Sequence, residues 1–163
     1  MRYLVVSDIH GDKAGVELIK NAMRKYSPDG VISAGDQCPY LGEPIFEQLI
    51  SVRGNCDRFY EYGKIPFPPL IKTISLFSRD VCIAHGDSIW YDDLDLKDGS
   101  VFISGHTHVP LLKKENGIYI LNPGSASRPR SASGPTAALF DEDALSIFSL
   151  IDFTLISTLS FSR

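Results

Sequence analysis

The sequence predicts an α/β fold in four layers, αββα, in which two mixed β-sheets pack face to face with helices outside. In the first half of the chain, short apolar runs alternate with helical patterns, which favours parallel strands joined by helical crossovers. In the second half, apolar runs follow one another across turns, which favours a second sheet. A chain of 163 residues fits one domain, and we expect that domain to span residues 1–163.

The first half begins with a short apolar run at residues 3–6, which predicts a buried strand. Residues 13–26 have the apolar spacing of an amphipathic helix, and Pro28 follows where that pattern ends. Strands at residues 31–32 and 49–52 and a short helix at residues 44–49 complete this half.

The second half changes character after three prolines, Pro66, Pro68 and Pro69, which mark a connector between the halves. Glu115-Asn116-Gly117 is typical of a hairpin turn. Near the end, apolar residues from Phe153 to Phe161 alternate with threonine and serine, which predicts a half-buried antiparallel strand. The remaining predicted strands cover residues 71–77, 81–84, 101–103, 111–114 and 118–121.

Composition limits the classes of function. The formal net charge is −4, so nucleic acid is an unexpected partner. The first apolar run is too short for a signal-peptide core or a membrane span, so we expect a cytoplasmic protein without membrane contact. The three cysteines, Cys38, Cys56 and Cys82, lack zinc-ribbon spacing, and reduced thiols are expected in that compartment.

The polar residues that point to chemistry follow the predicted strands. All four histidines come after an apolar run and close to a glycine, and two aspartates and one asparagine share this context. Ligand sites of open α/β sheets form at the carboxyl ends of strands, so we expect these side chains to meet. The set comprises Asp8, His10, Asp36, Asn55, His85, His106 and His108.

This donor set indicates a metal centre. Imidazole, carboxylate and amide donors suit Mn, Fe, Co, Ni or Zn better than Ca or Mg. Seven ligands exceed what one such ion takes, so two ions that share a ligand are expected, and a carboxylate can bridge them. Two neighbouring ions can deprotonate a bridging water and neutralise a phosphoryl group under attack. The residues therefore predict a dimetal-dependent phosphoesterase.

Five short motifs carry a resemblance to a known family. The order and spacing of these motifs resemble the calcineurin-like metallophosphoesterases, and within them the YfcE-like branch of small phosphodiesterases. The motifs are Asp8-Ile9-His10, Gly35-Asp36, Gly54-Asn55-Cys56-Asp57, His85-Gly86 and Gly105-His106-Thr107-His108.

The resemblance implies a division of the ligands between two divalent ions, with manganese the expected metal and Asp36 the bridge. It also implies catalytic roles for Asp36, Asn55 and His85, in a reaction where a metal-bridging hydroxide attacks phosphorus. One ion would take Asp8, His10, Asp36 and His108, and the other Asp36, Asn55, His85 and His106.

Substrate contacts are expected at Asn55, Cys56 and Arg58. Many members of the superfamily carry histidine at the position of Cys56, where it helps the leaving oxygen depart. A thiol is a weaker proton donor near neutrality, which favours diesters with good leaving groups over phosphoprotein substrates. We expect Asp12, Asp57 and Asp87 to cap loops or orient ligands, and Arg128 and Arg130 to be solvated.

Two classes of function stay open. The favoured reading is a phosphodiesterase acting on a small-molecule or nucleotide diester; the rival is a non-catalytic scaffold or assembly subunit of the Vps29 type. A scaffold has no need to keep all seven ligands, so their completeness favours the enzyme. A nuclease is a weaker third reading. Core or lid packing is favoured over substrate stacking for Tyr40, Phe59, Tyr60 and Tyr62. A core role is favoured over a homo-oligomer interface for Trp90 and Tyr91.

Overall fold

The computed structural model describes residues 1–162, which form two β-sheets, two α-helices and two short 3₁₀ helices. The predicted elements of the first half are present, with boundaries that differ by a residue or two. In chain order the elements are β1 (Arg2–Val6), α1 (Lys13–Tyr26), β2 (Gly30–Ser33), α2 (Ile45–Gln48), β3 (Leu49–Ser51), a 3₁₀ helix (Phe59–Glu61), β4 (Ile71–Leu76), β5 (Arg79–Ala84), a 3₁₀ helix (Tyr91–Asp93), β6 (Val101–Ile103), β7 (Leu111–Glu115), β8 (Ile118–Asn122), β9 (Thr136–Asp141), β10 (Ala144–Ser149) and β11 (Leu155–Ser160).

The first sheet has six strands in the order β11-β10-β9-β1-β2-β3. Strands β1, β2 and β3 run parallel, as the strand–helix alternation predicts, and β1 pairs antiparallel with β9 on its other side. Strand β11 pairs antiparallel with β10, which confirms the prediction for the end of the chain. Strands β9 and β10 were not predicted, although both are six residues long.

The second sheet has five strands in the order β4-β5-β6-β8-β7. Strands β5, β6 and β8 are parallel, and the two edge strands are antiparallel to their neighbours. The proline-rich connector runs from β3, at the edge of the first sheet, to β4, at the edge of the second. It therefore joins the two sheets, as expected.

The main core lies between the sheets, where Val5 and Ile32 of the first meet Ile83, Ile103 and Leu121 of the second. All five side chains are fully buried, and each contributes roughly 1.5–3 kcal/mol through removal of apolar surface from water.

The outer faces of the two sheets are covered differently. Helix α1 buries Val16 and Ile19 against the first sheet. The second sheet is covered by the 3₁₀ helix Tyr91–Asp93 and its flanks, where Trp90 packs edge-on against Phe102 at 5.3 Å between ring centroids. The four-layer arrangement is thereby confirmed, and Trp90 and Tyr91 belong to the packing of this layer. None of the helices in residues 1–162 is long and apolar enough to cross a membrane.

Backbone hydrogen bonds bring the carboxyl ends of the strands together. Asp8 N donates to Gly35 O at 3.0 Å, which joins the loops after β1 and β2. Gly105 N donates to His85 O at 3.0 Å, which joins the loops after β5 and β6. His106 N donates to Asp8 Oδ2 at 3.1 Å and connects one pair of loops to the other. The polar residues of both sheets therefore face one site.

Candidate metal centre

The backbone is strained where the candidate ligands lie. Five of the seven adopt a left-handed conformation, with φ between 52° and 72°. Residues other than glycine rarely adopt this conformation, and such strain clusters at functional sites when the surrounding structure fixes it. The five are Asp8, His10, Asp36, His106 and His108.

Asp8 lies at the centre of the cluster and is fully buried. One carboxylate oxygen, Oδ2, accepts hydrogen bonds from the Ser7 hydroxyl at 2.7 Å and from His106 N at 3.1 Å. The other oxygen, Oδ1, faces three imidazoles. It lies 3.2 Å from His108 Nε2 and 3.8 Å from both His10 Nε2 and His85 Nε2.

Asp36, which follows the neighbouring strand β2, likewise has one carboxylate oxygen bonded to a backbone N–H and the other facing imidazoles. Its Oδ1 accepts a hydrogen bond from Cys56 N at 2.8 Å. Its Oδ2 lies 3.2 Å from His85 Nε2 and 3.8 Å from His10 Nε2, between the two imidazoles. Gly54 makes this approach possible, because a Cβ there would collide with the Asp36 carboxylate.

Hydrogen bonds to backbone carbonyls fix the tautomers of two histidines. His85 Nδ1 lies 2.7 Å from Ala34 O, and His108 Nδ1 lies 2.7 Å from Arg128 O. A carbonyl oxygen can only accept, so each Nδ1 carries the proton. In the neutral imidazoles Nε2 therefore presents a lone pair, which is how protein histidines are oriented toward metals.

Two buried polar atoms at this site lack a hydrogen bond, Asp8 Oδ1 and His85 Nε2. An unpaired buried polar group is costly, and here an anionic oxygen and the lone pairs of neutral imidazoles converge, with no donor between them other than a proton taken up by His85. A cation satisfies all of these atoms at once. The donor atoms of Asp8, His10 and His108 lie within 4.8 Å of one another, as do those of Asp8, Asp36 and His85. These residues fit a divalent metal.

The clustering of carboxylates and imidazoles also shifts the pKa values of His85 and Asp36. Burial alone would lower the pKa of His85, but its interaction with Asp36 and the negative charge of Asp8 outweigh burial and raise it to about 9. Burial would raise the pKa of Asp36, but the His85 interaction and the positive charge of the imidazole lower it below its usual value. In the metal-free protein, a proton on His85 thus takes the place of a cation.

The other two candidate ligands lie at the exposed side. His106 Nδ1 lies 3.2 Å from Asn55 Oδ1, and the ring of His106 packs edge-on against that of His85, with 5.2 Å between centroids. Asn55 is exposed and His106 is half-buried. The structure thus brings all seven predicted residues into one cluster, with Asn55 and His106 at its solvent edge.

The loop that carries Asn55 is held by a buried carboxylate. Asp57 accepts hydrogen bonds from Asp36 N at 2.9 Å, Cys38 N at 2.8 Å and Gly54 N at 2.8 Å. Its role in orienting the loop is confirmed, and Asp12 is confirmed as the N-cap of α1, where it accepts from two backbone N–H groups.

Cys56 borders the centre. Its sulfur lies within 4.8 Å of donor atoms of His10 and Asp36. Burial and the Asp36 charge raise the pKa of its thiol, so the thiol is protonated at neutral pH. Arg58, the next predicted substrate contact, is exposed, and its Nη1 donates to Asn55 O at 2.8 Å.

The aromatic residues divide between core and surface. Tyr62 is buried, with its hydroxyl 3.1 Å from Gln37 Nε2, and Tyr40 packs edge-on against Phe46. Phe59 and Tyr60 are 77% and 80% exposed, so these two do not belong to the core, and a lid role for them stays a prediction. They lie on a 3₁₀ helix too short to bury them.

Sequence reasoning missed the serines that hold the ligand loops. The Ser127 hydroxyl contacts both Asp8 O, at 3.0 Å, and Ile9 O, at 2.7 Å, and the Ser125 hydroxyl donates to Asp8 O at 2.8 Å. Serine is common in loops, so its presence there did not by itself indicate a role in holding the site.

Comparison with known sequences identifies the family. A model of the calcineurin-like phosphoesterase superfamily domain matches residues 1–144. The chain is 26% identical, over an alignment of 177 residues, to phosphodiesterase YfcE of Escherichia coli strain K12, with 96% of each chain covered. It is 31% identical over 153 residues to a protein of Methanocaldococcus jannaschii named as a probable metallophosphoesterase, with 86% of this chain and 76% of that protein covered.

Solved structures share the fold. The structure of YfcE from E. coli superimposes with a TM-score of 0.89 at 24% identity and covers 99% of this chain and 100% of that one. Vacuolar protein sorting 29 of Cryptosporidium parvum gives a TM-score of 0.73 at 19% identity, with 99% and 98% covered. With its residues 1–144 matched, the chain belongs to the calcineurin-like phosphoesterase superfamily and to its YfcE-like branch.

Proposed function

We propose that this protein is a metal-dependent phosphodiesterase with a centre for two divalent ions. The observation that carries the proposal is the convergence of Asp8 Oδ1 and His85 Nε2, both buried and without a hydrogen bond, with the Nε2 atoms of His10 and His108. The family and the YfcE relative support a phosphoric ester as the substrate.

The proposed ligands divide into two groups that share Asp36. Asp8, His10 and His108 form one group with it, and Asn55, His85 and His106 form the other. The position of Asp36 Oδ2 between His10 and His85 supports its bridging role. When bound, the ions would supply an activated water and would neutralise charge on the phosphoryl oxygens.

In the proposed mechanism, side chains of the protein orient the metal centre and the substrate. Asp36, Asn55 and His85 are the proposed catalytic residues, because they hold the centre that faces the substrate. Asn55 directs Oδ1 toward His106, while its Nδ2 lies 3.6 Å from Cys56 Sγ and faces the outer side. Arg58 keeps its remaining N–H groups for a phosphoryl oxygen. Asn55, Cys56 and Arg58 would therefore meet the substrate.

Manganese is the proposed native metal, with nickel, cobalt, iron and zinc the other ions that suit these donors. The proposed substrate is a small-molecule or nucleotide diester rather than a nucleic acid, because the chain has a net charge of −4. A cytoplasmic location and a homo-oligomeric state stay predictions.

The scaffold reading has one observation in its favour, the fold shared with vacuolar protein sorting 29. That likeness does not distinguish the two classes, because the YfcE structure shares the same fold. An assembly surface gains nothing from unpaired buried polar atoms, which cost stability. The donor set therefore favours the enzyme.

The test is an activity screen of metal-stripped protein reloaded with Mn, Ni, Co, Zn or Mg. Substrates are nitrophenyl diesters and nucleotide diesters, with nitrophenyl phosphate as the monoester comparison. We expect hydrolysis of diesters with at least one transition ion and none after chelation. Bound metal without hydrolysis of any ester would reject the enzyme and favour the scaffold.

A further inference from the structure

A loop that carries two arginines is fixed to the candidate metal centre. His108 Nδ1 donates to Arg128 O at 2.7 Å, and Arg130 N donates to His108 O at 3.1 Å. The backbone of this segment is therefore in direct contact with a proposed metal ligand. Both arginine side chains are exposed.

Further hydrogen bonds hold the loop in place. The Ser127 hydroxyl contacts the carbonyls of Asp8 and Ile9, and Arg128 N donates to Ser125 Oγ at 2.8 Å. The arginines thus project from a backbone that is bonded to the segments of both Asp8 and His108. The fixed backbone keeps both arginines beside the centre, while their exposed side chains are ordered only when a ligand binds.

The charges of these arginines are not matched by acids. Within residues 1–162, neither Arg128 nor Arg130 forms a salt bridge, which they share with most basic residues of the chain, so both guanidinium groups can meet an anion. What distinguishes these two arginines is their place on a loop whose backbone contacts the proposed metal ligand His108.

We propose that Arg128 and Arg130 form a second anion-binding subsite, so that the preferred substrate is a phosphodiester that carries an additional phosphate group. The proposal rests on the proposed function and extends it. A simple diester bears one negative charge, which the metal centre and Arg58 already balance. Two further guanidinium groups, carried by a loop whose backbone is bonded to His108, would match a second, dianionic phosphate, which arginine binds in bidentate geometry.

The kinetic test uses two substrates with the same leaving group. Thymidine 5′-(4-nitrophenyl phosphate) carries only the scissile diester, and its 3′-phosphorylated derivative carries one more phosphate. For the wild-type protein we expect a kcat/KM about tenfold higher for the phosphorylated substrate, since one good charge-assisted contact is worth about a factor of ten. In R128A/R130A this preference should disappear, while kcat/KM for the simpler substrate changes less than about twofold.

Two variants serve as controls. R128K/R130K retains the charges without the planar fork, and should keep part of the preference. R24A removes an exposed arginine of α1 that pairs with Glu17, and should leave both substrates unaffected. Equal preference in wild type and R128A/R130A would overturn the subsite.

A binding measurement separates this proposal from the proposed function. Equilibrium dialysis of the metal-loaded protein compares thymidine 3′,5′-bisphosphate with thymidine 5′-monophosphate and needs no turnover. We expect the bisphosphate to bind about tenfold more tightly, with that difference lost in R128A/R130A and reduced at high salt. Tighter binding without hydrolysis of either substrate would keep the subsite and reject the phosphodiesterase. Equal binding of both nucleotides would reject the subsite, whatever the activity.

Discussion

The candidate metal centre has a buried half and an exposed half, and they are built by different means. The buried half consists of Asp8, Asp36, His85 and His108, none of which is more than 4% exposed. Each has one polar atom bonded to the protein and another directed at the centre. In the exposed half, the side chains of Asn55 and His106 hydrogen-bond to each other rather than to buried backbone groups.

This difference predicts how the two halves behave. Burying carboxylates and imidazoles is costly, and the hydrogen bonds that orient them offset part of that cost before a metal arrives. The backbone of the exposed half is also held, by Asp57 and Asp8, but the side chains of Asn55 and His106 have no bond to a buried backbone group and are therefore less firmly oriented. We therefore expect one ion to bind more tightly than the other, with Asp36 common to both.

The largest effect is expected from Asp36→Asn, because Asp36 belongs to both proposed ligand groups. An amide has one oxygen and no charge, so it cannot hold two ions. We expect activity to fall at least about a thousandfold, roughly 4 kcal/mol of transition-state stabilisation. Steady-state kinetics and elemental analysis of the same sample measure the loss.

Asp8→Asn is the matched control, since Asp8 belongs to the proposed first ion only. It should weaken one ion and leave the other measurable. Wild-type activity with two bound ions in Asp36→Asn would show that Asp36 does not bridge the halves.

The second largest effect is expected from Asp57→Ala, which tests what holds the loop that carries Asn55. In this variant, three backbone N–H groups that now donate to the Asp57 carboxylate lose their acceptor. We expect the free energy of unfolding to fall by about 3 kcal/mol and metal affinity to fall about 10- to 100-fold. Asp141→Ala removes a comparable acceptor at the turn before β10, and should reduce stability with unchanged metal affinity. Unchanged metal affinity in Asp57→Ala would mean that the loop needs no such support.

The pH dependence of metal binding tests the buried half. In the metal-free protein the pKa of His85 is raised to about 9, from an unfolded value of about 6.5. Its proton therefore stabilises the metal-free fold fully below about pH 6.5, and this contribution is lost as pH rises through about 9. Metal must displace that proton, so affinity should rise up to about tenfold per pH unit between 7 and 9.

Titration calorimetry in buffers of different ionisation enthalpy measures the protons released. We expect close to one proton from His85 at pH 7.5 in the wild type, and a smaller release in His85→Gln. Identical release in the two proteins would show that His85 does not carry the displaced proton.

The smallest effect belongs to the exposed half. Cys56→His should provide a better proton donor near the leaving oxygen, which matters most when the leaving group is poor. We expect the ratio of kcat/KM for a nucleoside diester to that for a nitrophenyl diester to rise about tenfold. Cys82→Ala, on the outer side of the second sheet, should leave the ratio unchanged. An unchanged ratio in Cys56→His with both metals bound would make Cys56 a packing residue.

Much of the fold follows from local patterns in the sequence, because β1, α1 and β2 have clear apolar periods and a capping aspartate. Strands β9 and β10 were missed for a physical reason. Strand β9 is central and buried on both faces, so it shows no alternation, and two of its residues are alanine. A signal for β10 was present in Leu145-Ser146-Ile147, where apolar and polar residues alternate.

The seven candidate ligands could be named from the sequence because metal donors of these types must follow strands to converge. The division of these ligands into a buried and an exposed half could not be predicted from the sequence. It depends on which backbone groups hydrogen-bond to each donor, such as Ala34 O with His85 Nδ1, and these contacts join residues far apart in the chain. The exposure of Phe59 and Tyr60 likewise depends on the tertiary path of a short helix.

The central claim is that the seven ligands hold two ions, and that Asp36 is a ligand of both. Metal-stripped protein titrated with Mn or Zn, followed by dialysis and elemental analysis, tests it most directly. The account predicts about two ions per chain, the first bound more tightly than the second, and loss of both in Asp36→Asn. A limit of one ion per chain in the wild type, with full diester hydrolysis, would contradict it.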